Sequence, residues 1–189
     1  DPYWAILWPS AVSLASILLE EPELVAGARV CDLGAGLGLG GIGAALAGAR
    51  EVTLFDREPL ALACAELTVV KNGLRLHHGD PGTVGDPRLS VQVLDWADAS
   101  FQWDGGLFDV VMACDVLYME DAVAAIIALL PKLLKPGGSF LLADPPHRTP
   151  QNRERFVKMV GAVMQKSFRR KTEYQGVTSE LCIMQFKLP

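Results

Sequence analysis

The stretch Arg29-Val30-Cys31-Asp32-Leu33-Gly34-Ala35-Gly36-Leu37-Gly38-Leu39-Gly40-Gly41 decides the fold. Arg29 to Leu33 has the composition of a buried strand and runs straight into glycines, then into a small-residue helix, Ile42 to Gly48, whose alanines let it lie close to a sheet. Outward from it, strand-length apolar runs alternate with helical patterns. A first helix is predicted from Pro9 to about Glu21, with Leu14, Ile17, Leu18 and Glu21 at helical spacing. Strand two is Glu51 to Phe55, followed by a helix from about Glu58 to Asn72 that stops at Asn72-Gly73. Leu74 to Ser90, rich in Gly and Pro, reads as an exposed connection. Strand three is Val91 to Leu94, strand four Phe108 to Ala113, and the next helix Asp121 to Lys135. The turn Lys135-Pro136-Gly137-Gly138 feeds strand five, Ser139 to Ala143, and a helix from about Gln151 to Lys166 follows. Phe168 to Glu173 and Glu180 to Lys187 flank Gln175-Gly176 too closely for a crossover helix, so they pair antiparallel. The expectation is an α/β fold, a doubly wound seven-stranded sheet closed by a C-terminal antiparallel hairpin.

Composition sets the outer bounds. The chain has 189 residues, 50% of them hydrophobic and 21% charged, and 17 basic against 22 acidic side chains give a net charge of -5. A chain of this length buries about 70% of its unfolded surface and forms one domain, 1–189, without disulfide or metal staples. Residues 1–21 form its N-terminal segment and helix. Cys31, Cys64, Cys114 and Cys182 lie far apart in apolar stretches, with no CxxC pair, and read as buried thiols of a reducing compartment. The expected location is intracellular, in the cytoplasm, or in an organelle if a targeting peptide has been trimmed ahead of Asp1. Charged residues, Gly or Pro interrupt every long apolar run, so no membrane span is expected. The acidic balance argues against a broad grip on nucleic acid and favours cationic partners.

Ligands of open α/β sheets sit beyond the carboxyl ends of the strands. Asp32, Asp56, Asp95, Asp115 and Asp144 all fall at or just past those ends. Any one could be a turn or cap residue; five on one rim would raise one another's pKa unless cations or donors meet them there. Gly36-Leu37-Gly38-Leu39-Gly40-Gly41 satisfies G-x-G-x-x-G, and Asp56 follows at the distance of a ribose-binding acid. The loop has no Lys or Arg, and Asp32 precedes its first glycine by two residues. A pyrophosphate would face carboxylates from several directions, whereas a sulfonium bearing an α-ammonium group would be attracted. S-adenosylmethionine therefore fits better than a nicotinamide dinucleotide.

Asp32-x-Gly34-x-Gly36-x-Gly38, Phe55-Asp56, Leu94-Asp95-Trp96, Asp115-Val116-Leu117-Tyr118 and Leu134-Lys135-Pro136-Gly137-Gly138 resemble the class I, seven-strand, Rossmann-like methyltransferases over nearly the whole chain. The opening Pro2-Tyr3-Trp4-Ala5-Ile6-Leu7-Trp8-Pro9-Ser10 narrows the resemblance to the branch of protein-lysine methyltransferases that includes the electron-transfer-flavoprotein β-subunit and valosin-containing-protein lysine methyltransferases. The resemblance implies that Gly34, Ala35 and Gly36 form the loop under the methionine and ribose of the cofactor and that Asp56 accepts the ribose hydroxyls. Asp95 and Trp96 would border the adenine, Cys114 would line the pocket, and Trp8 would pack over the cofactor. It also implies S-adenosyl-L-homocysteine as product and a protein lysine as acceptor.

An amine needs a free lone pair to attack the sulfonium methyl, and a lysine with a reference pKa near 10.4 costs about 4–5 kcal/mol to deprotonate at neutral pH. A carboxylate beside it favours the ammonium, so Asp115 is assigned attraction and orientation of the cation, and Tyr118 a hydrogen bond that fixes its direction. Asp144-Pro145-Pro146-His147 is similar to the D-P-P-Y element of other methyltransferases but follows strand five rather than strand four, so it is read as a rim loop. His77-His78 with Asp80 is read as solvent-exposed rather than metal-binding, and Arg169-Arg170-Lys171 as a solvated strand start. The same mouth would serve any compact nitrogen nucleophile. The alternatives are therefore a small-molecule amine or pyridine N-methyltransferase, or a non-catalytic cofactor-binding interaction module.

Overall fold

A computed structural model describes residues 2–77, 87–161, 163–174 and 176–187. Successive side chains of a strand point to opposite faces, and here both faces are apolar, as a parallel sheet requires. Val30 of β1 (Arg29–Leu33), Val52 and Leu54 of β2 (Glu51–Asp56), and Val110 and Met112 of β4 (Phe108–Cys114) face one way. There they bury Leu14 and Ile17 of α1 (Pro9–Glu20), Ile42 and Ala45 of α2 (Leu39–Leu46), and Ala65 and Val69 of α3 (Pro59–Lys71). Cys31, Leu33, Phe55, Val111 and Ala113 face the other way, against Val123 and Ile126 of α4 (Glu120–Leu133) and Phe156 of α5 (Pro150–Met159).

With β3 (Arg88–Val93), β5 (Leu134–Asp144), β6 (Val163–Tyr174) and β7 (Val177–Lys187), the sheet runs β3-β2-β1-β4-β5-β7-β6. The first five pair in parallel; β7 enters antiparallel between β5 and β6. The doubly wound seven-stranded sheet and its closing hairpin are as expected. Among the described residues no helix is long and apolar enough to cross a membrane.

Several boundaries differ from the sequence reading. The last helix stops at Met159 rather than near Lys166, because Gly161 takes a left-handed φ of 63° and ends it. The hairpin is correspondingly longer than Phe168 to Glu173 and Glu180 to Lys187. β3 begins at Arg88 rather than Val91 and ends before Leu94; at the edge of the sheet it buries only Leu89 fully and gives no apolar run. β5 takes in the predicted turn: Leu134 already pairs with Phe108, and the chain loops out before Ser139 pairs with Val110. Within Leu74 to Ser90, 78–86 lie outside the described residues, and with them His78 and Asp80; Leu76 bridges to Leu89.

The α1–α2 contact is close because Gly43 has no side chain: a Cβ there would stand 2.8 Å from the Ala15 Cβ and 2.9 Å from its Cα. Gly43→Val is therefore expected to destabilise the fold by about 1–3 kcal/mol, seen as a lower urea midpoint with an unchanged slope.

Candidate active site

The strand order reverses between β1 and β4, the point at which an open sheet leaves a crevice beyond its carboxyl ends. A cavity of about 750 Å³ lies there. Its walls come from the loop after β1, the ends of β2 and β4, the segment before α1, and the loop after β5.

The loop after β1 is shaped by glycines at positive φ, with Gly34 at 74°, Gly36 at 52° and Gly38 at 81°. A Cβ on Gly34 would meet the Trp96 ring at 2.9 Å, and one on Gly36 would meet the Trp4 carbonyl at 3.2 Å. The Gly34 and Ala35 N–H groups both donate to the Phe55 carbonyl, each at 2.9 Å, knitting the loop onto β2. Asp56 is held from two sides: Gly36 N–H donates to Oδ2 at 2.9 Å and Glu58 N–H to Oδ1 at 3.0 Å. Each oxygen keeps a lone pair for a guest, so the carboxylate is a pre-aimed acceptor of two hydroxyls.

Asp32 is 2% exposed and accepts the Gly41 N–H at 2.7 Å. Burial pushes its carboxyl up to about 7, against the pull of the Gly41 bond and with help from the Asp56 charge. Asp115 follows β4 with a φ of 57°, unusual for a side-chain-bearing residue, and its N–H donates to the Ala143 carbonyl at 2.9 Å. Burial raises its pKa, opposed by the Arg148 guanidinium, whose Nη1 lies 2.9 Å from both Oδ1 and Oδ2. Burial, then the Asp32 and Asp115 charges, pushes the Cys114 thiol well above its ordinary range, so it lines the cavity as a neutral thiol.

Of the residues singled out from sequence, Trp8, Gly34, Ala35, Gly36, Asp56, Trp96, Cys114, Asp115 and Tyr118 meet at this one cavity. Asp95 does not line it; its exposed carboxylate accepts the Ala97 N–H at 2.9 Å. Asp144 is buried away from it beneath Arg153, at 3.0 Å, so three of the five strand-end acids (Asp32, Asp56 and Asp115) form the wall. Trp96 stands edge-on to Tyr118 with centroids 6.5 Å apart. Sequence reasoning gave no site role to Trp4, Leu37 or Met119, and weighed Arg148 only as a minor candidate for touching substrate. The first three carry no chemical signal beyond being apolar. Arg148 sits on the loop set aside as a rim, yet its guanidinium lies on Asp115 with its Cζ 4.5 Å from the centre of the Trp8 ring.

A family model described as lysine methyltransferase matches residues 4–163. The electron transfer flavoprotein beta subunit lysine methyltransferase of Rattus norvegicus is 31% identical over 148 residues, which cover 78% of this chain and 52% of that protein. The chain thus spans about half the length of that curated relative. Among solved structures, ribosomal protein L11 methylase from Lactobacillus delbrueckii subsp. bulgaricus superposes with a TM-score of 0.68 at 20% identity, covering 100% of this chain and 84% of that one. Magnesium protoporphyrin IX methyltransferase from Synechocystis PCC 6803, with bound S-adenosylmethionine, gives 0.65 at 20% identity, over 95% and 78%. These likenesses establish the same fold.

An acid whose folded-state pKa exceeds its unfolded value binds its proton more tightly when folded, so its contribution to stability falls as pH rises between the two values. For Asp32 that window runs from the ordinary carboxylate range, about pH 4, to about 7. Asp32→Asn is expected to flatten the decline of urea-denaturation stability across this window; a slope equal to that of the parent protein would refute the assignment.

Proposed function

The chain belongs to the lysine methyltransferase family, and from that premise we propose that it is an S-adenosylmethionine-dependent N-methyltransferase acting on the side-chain amine of a lysine in a protein. The observation that carries the reading is that Asp56, braced by two backbone N–H groups, and the buried Asp115 line one cavity.

The residues present fit the cofactor. Asp56 has acceptor capacity for vicinal hydroxyls, Gly34 and Gly36 leave room where a Cβ would collide, and Leu94 and Trp96 supply an apolar wall. Asp32, Asp56 and Asp115 place three carboxyl groups on the wall, Asp115 paired with Arg148, and a carboxylate there suits a sulfonium or an α-ammonium group. When bound, S-adenosylmethionine would supply an electrophilic methyl group open to in-line attack by a nitrogen lone pair, the new N–C bond forming as the C–S bond breaks and S-adenosylhomocysteine leaves.

The chain's own task is positioning and exclusion of water. Asp115 draws the acceptor's ammonium to the mouth and orients it. A carboxylate beside the amine favours its ammonium form, so Asp115 holds the cation rather than taking its proton. Val116, Tyr118 and Met119, beside Asp115 on the wall, strip water from the amine, which favours its neutral form and releases the proton to solvent. The Tyr118 hydroxyl fixes the direction of the lone pair.

Incubation of the purified protein with cell extract and methyl-labelled S-adenosylmethionine tests the reading: label is expected in a protein and, after hydrolysis, in methyl-lysine. Label confined to small molecules, or absent despite S-adenosylhomocysteine binding, would overturn it. Asp115→Asn keeps the shape of the side chain and tolerates the positive φ. It is expected to lower turnover on the order of 100-fold while changing S-adenosylhomocysteine affinity by less than about threefold, read by tryptophan quenching.

A further inference from the structure

Arg148 is a cation on the cavity wall, in direct contact with Asp115, to which the proposed reaction gives no part. Its guanidinium makes two contacts of 2.9 Å with Asp115 and stacks on Trp8 at 4.5 Å. A carboxylate beside an aromatic face is the environment an acceptor ammonium would seek. The arginine is also presented deliberately. Before it, Arg153 donates to the Pro145 and Pro146 carbonyls, both at 3.1 Å, and pairs with Asp144 at 3.0 Å. After it, Thr149 Oγ1 and Asn152 Nδ2 donate to the Leu117 carbonyl at 2.9 and 2.8 Å. The loop is therefore clamped to the segment carrying Asp115 and Tyr118. The arginine side chain itself is 35% exposed, against 4% for Asp115, so it can leave toward solvent without unpacking the loop.

We propose that Arg148 is a specificity-determining residue that fills the acceptor-cation subsite from within the chain and must be displaced by the incoming amine. This rests on the reading of Asp115 as the acceptor's anchor. A tethered guanidinium competes at high effective concentration, so an isolated small amine enters poorly. An acceptor with binding contacts remote from its amine can offset the displacement, which selects a lysine carried on a protein surface over a free amine. Until then Arg148 keeps the buried Asp115 carboxylate paired, where an uncompensated charge would be costly.

The test uses Arg148→Ala and Arg148→Gln, each saturated with S-adenosylhomocysteine and titrated with n-butylammonium, the lysine side-chain fragment. Binding is read from tryptophan emission, since Trp8 lies under the guanidinium. Both variants are expected to bind the probe about tenfold or more tightly than the parent protein, as removal of an internal competitor requires. The gain is expected to vanish in Arg148→Gln combined with Asp115→Asn. Equal affinity in parent and variants, or tighter binding by the parent, overturns the proposal. Methyl transfer to n-butylamine and to protein-borne lysine, measured in parallel, decides the reading separately. Tighter probe binding by the variants with no transfer to either acceptor by any form would uphold the displaced-cation subsite and remove the lysine reading.

Discussion

Between the end of β1 at Leu33 and the start of α2 at Leu39 the backbone must reverse direction while staying flat against β2. It does so with Gly34, Gly36 and Gly38 all at positive φ, and with the N–H groups of Gly34, Ala35 and Gly36 given to the Phe55 carbonyl and the Asp56 carboxylate. The floor of the cavity exists because side chains are missing there; a single methyl at Gly34 would occupy the space of the Trp96 ring. The same reversal brings the Gly41 N–H onto Asp32 and so admits a buried carboxylate into the sheet. Trp96, Asp56 and the N-terminal segment take their places relative to this one turn.

The two edges of the sheet treat acids differently. At the amino edge, Glu51 receives two hydrogen bonds from Arg29, at 2.9 and 2.7 Å. There Asp109 is held near 2: burial alone would raise it, but the Arg29 N–H and the side chains of Lys135 and Arg50 together outweigh that effect. At the carboxyl edge burial wins, leaving Asp32 near 7 and Asp144 near 6, the latter in spite of Arg153. The carboxyl edge carries the cavity, where a cationic guest would favour the charged form of carboxyl groups that burial disfavours.

Much of this was legible in the sequence because the strands obey simple periodicity. β1, β2 and β4 are short, mainly apolar runs, and their limits agree with the structure to within a residue. Edge and terminal elements were less legible. β3 lacks the apolar pattern because one side of it faces solvent, and the end of α5 depends on a single glycine set in a stretch that reads as helical. At the site, residues set by backbone position, such as Gly34, Gly36 and Asp56, could be found from spacing. Asp95 could not be separated from its neighbours, since an aspartate that closes its own turn at Ala97 reads the same as one facing a ligand. The partners of Arg148 were hidden for a different reason. The role of that residue comes from a meeting with Asp115, 33 positions away, and with Trp8 from the start of the chain.

The segment bearing Trp4 and Trp8 leads into α1, and α1 is fastened to the far end of the chain. Glu20 pairs with Arg170, at 2.8 Å for one of its two contacts, and Ser13 meets Thr172. On a ribosome, α1 is made well before β6 and finds this part of its seat only after that strand has emerged. Segments made earlier can settle among themselves, the glycine turn and the parallel strands included, whereas the upper wall of the cavity waits for β6. A nascent chain would therefore hold its parallel strands before it could grip a guest.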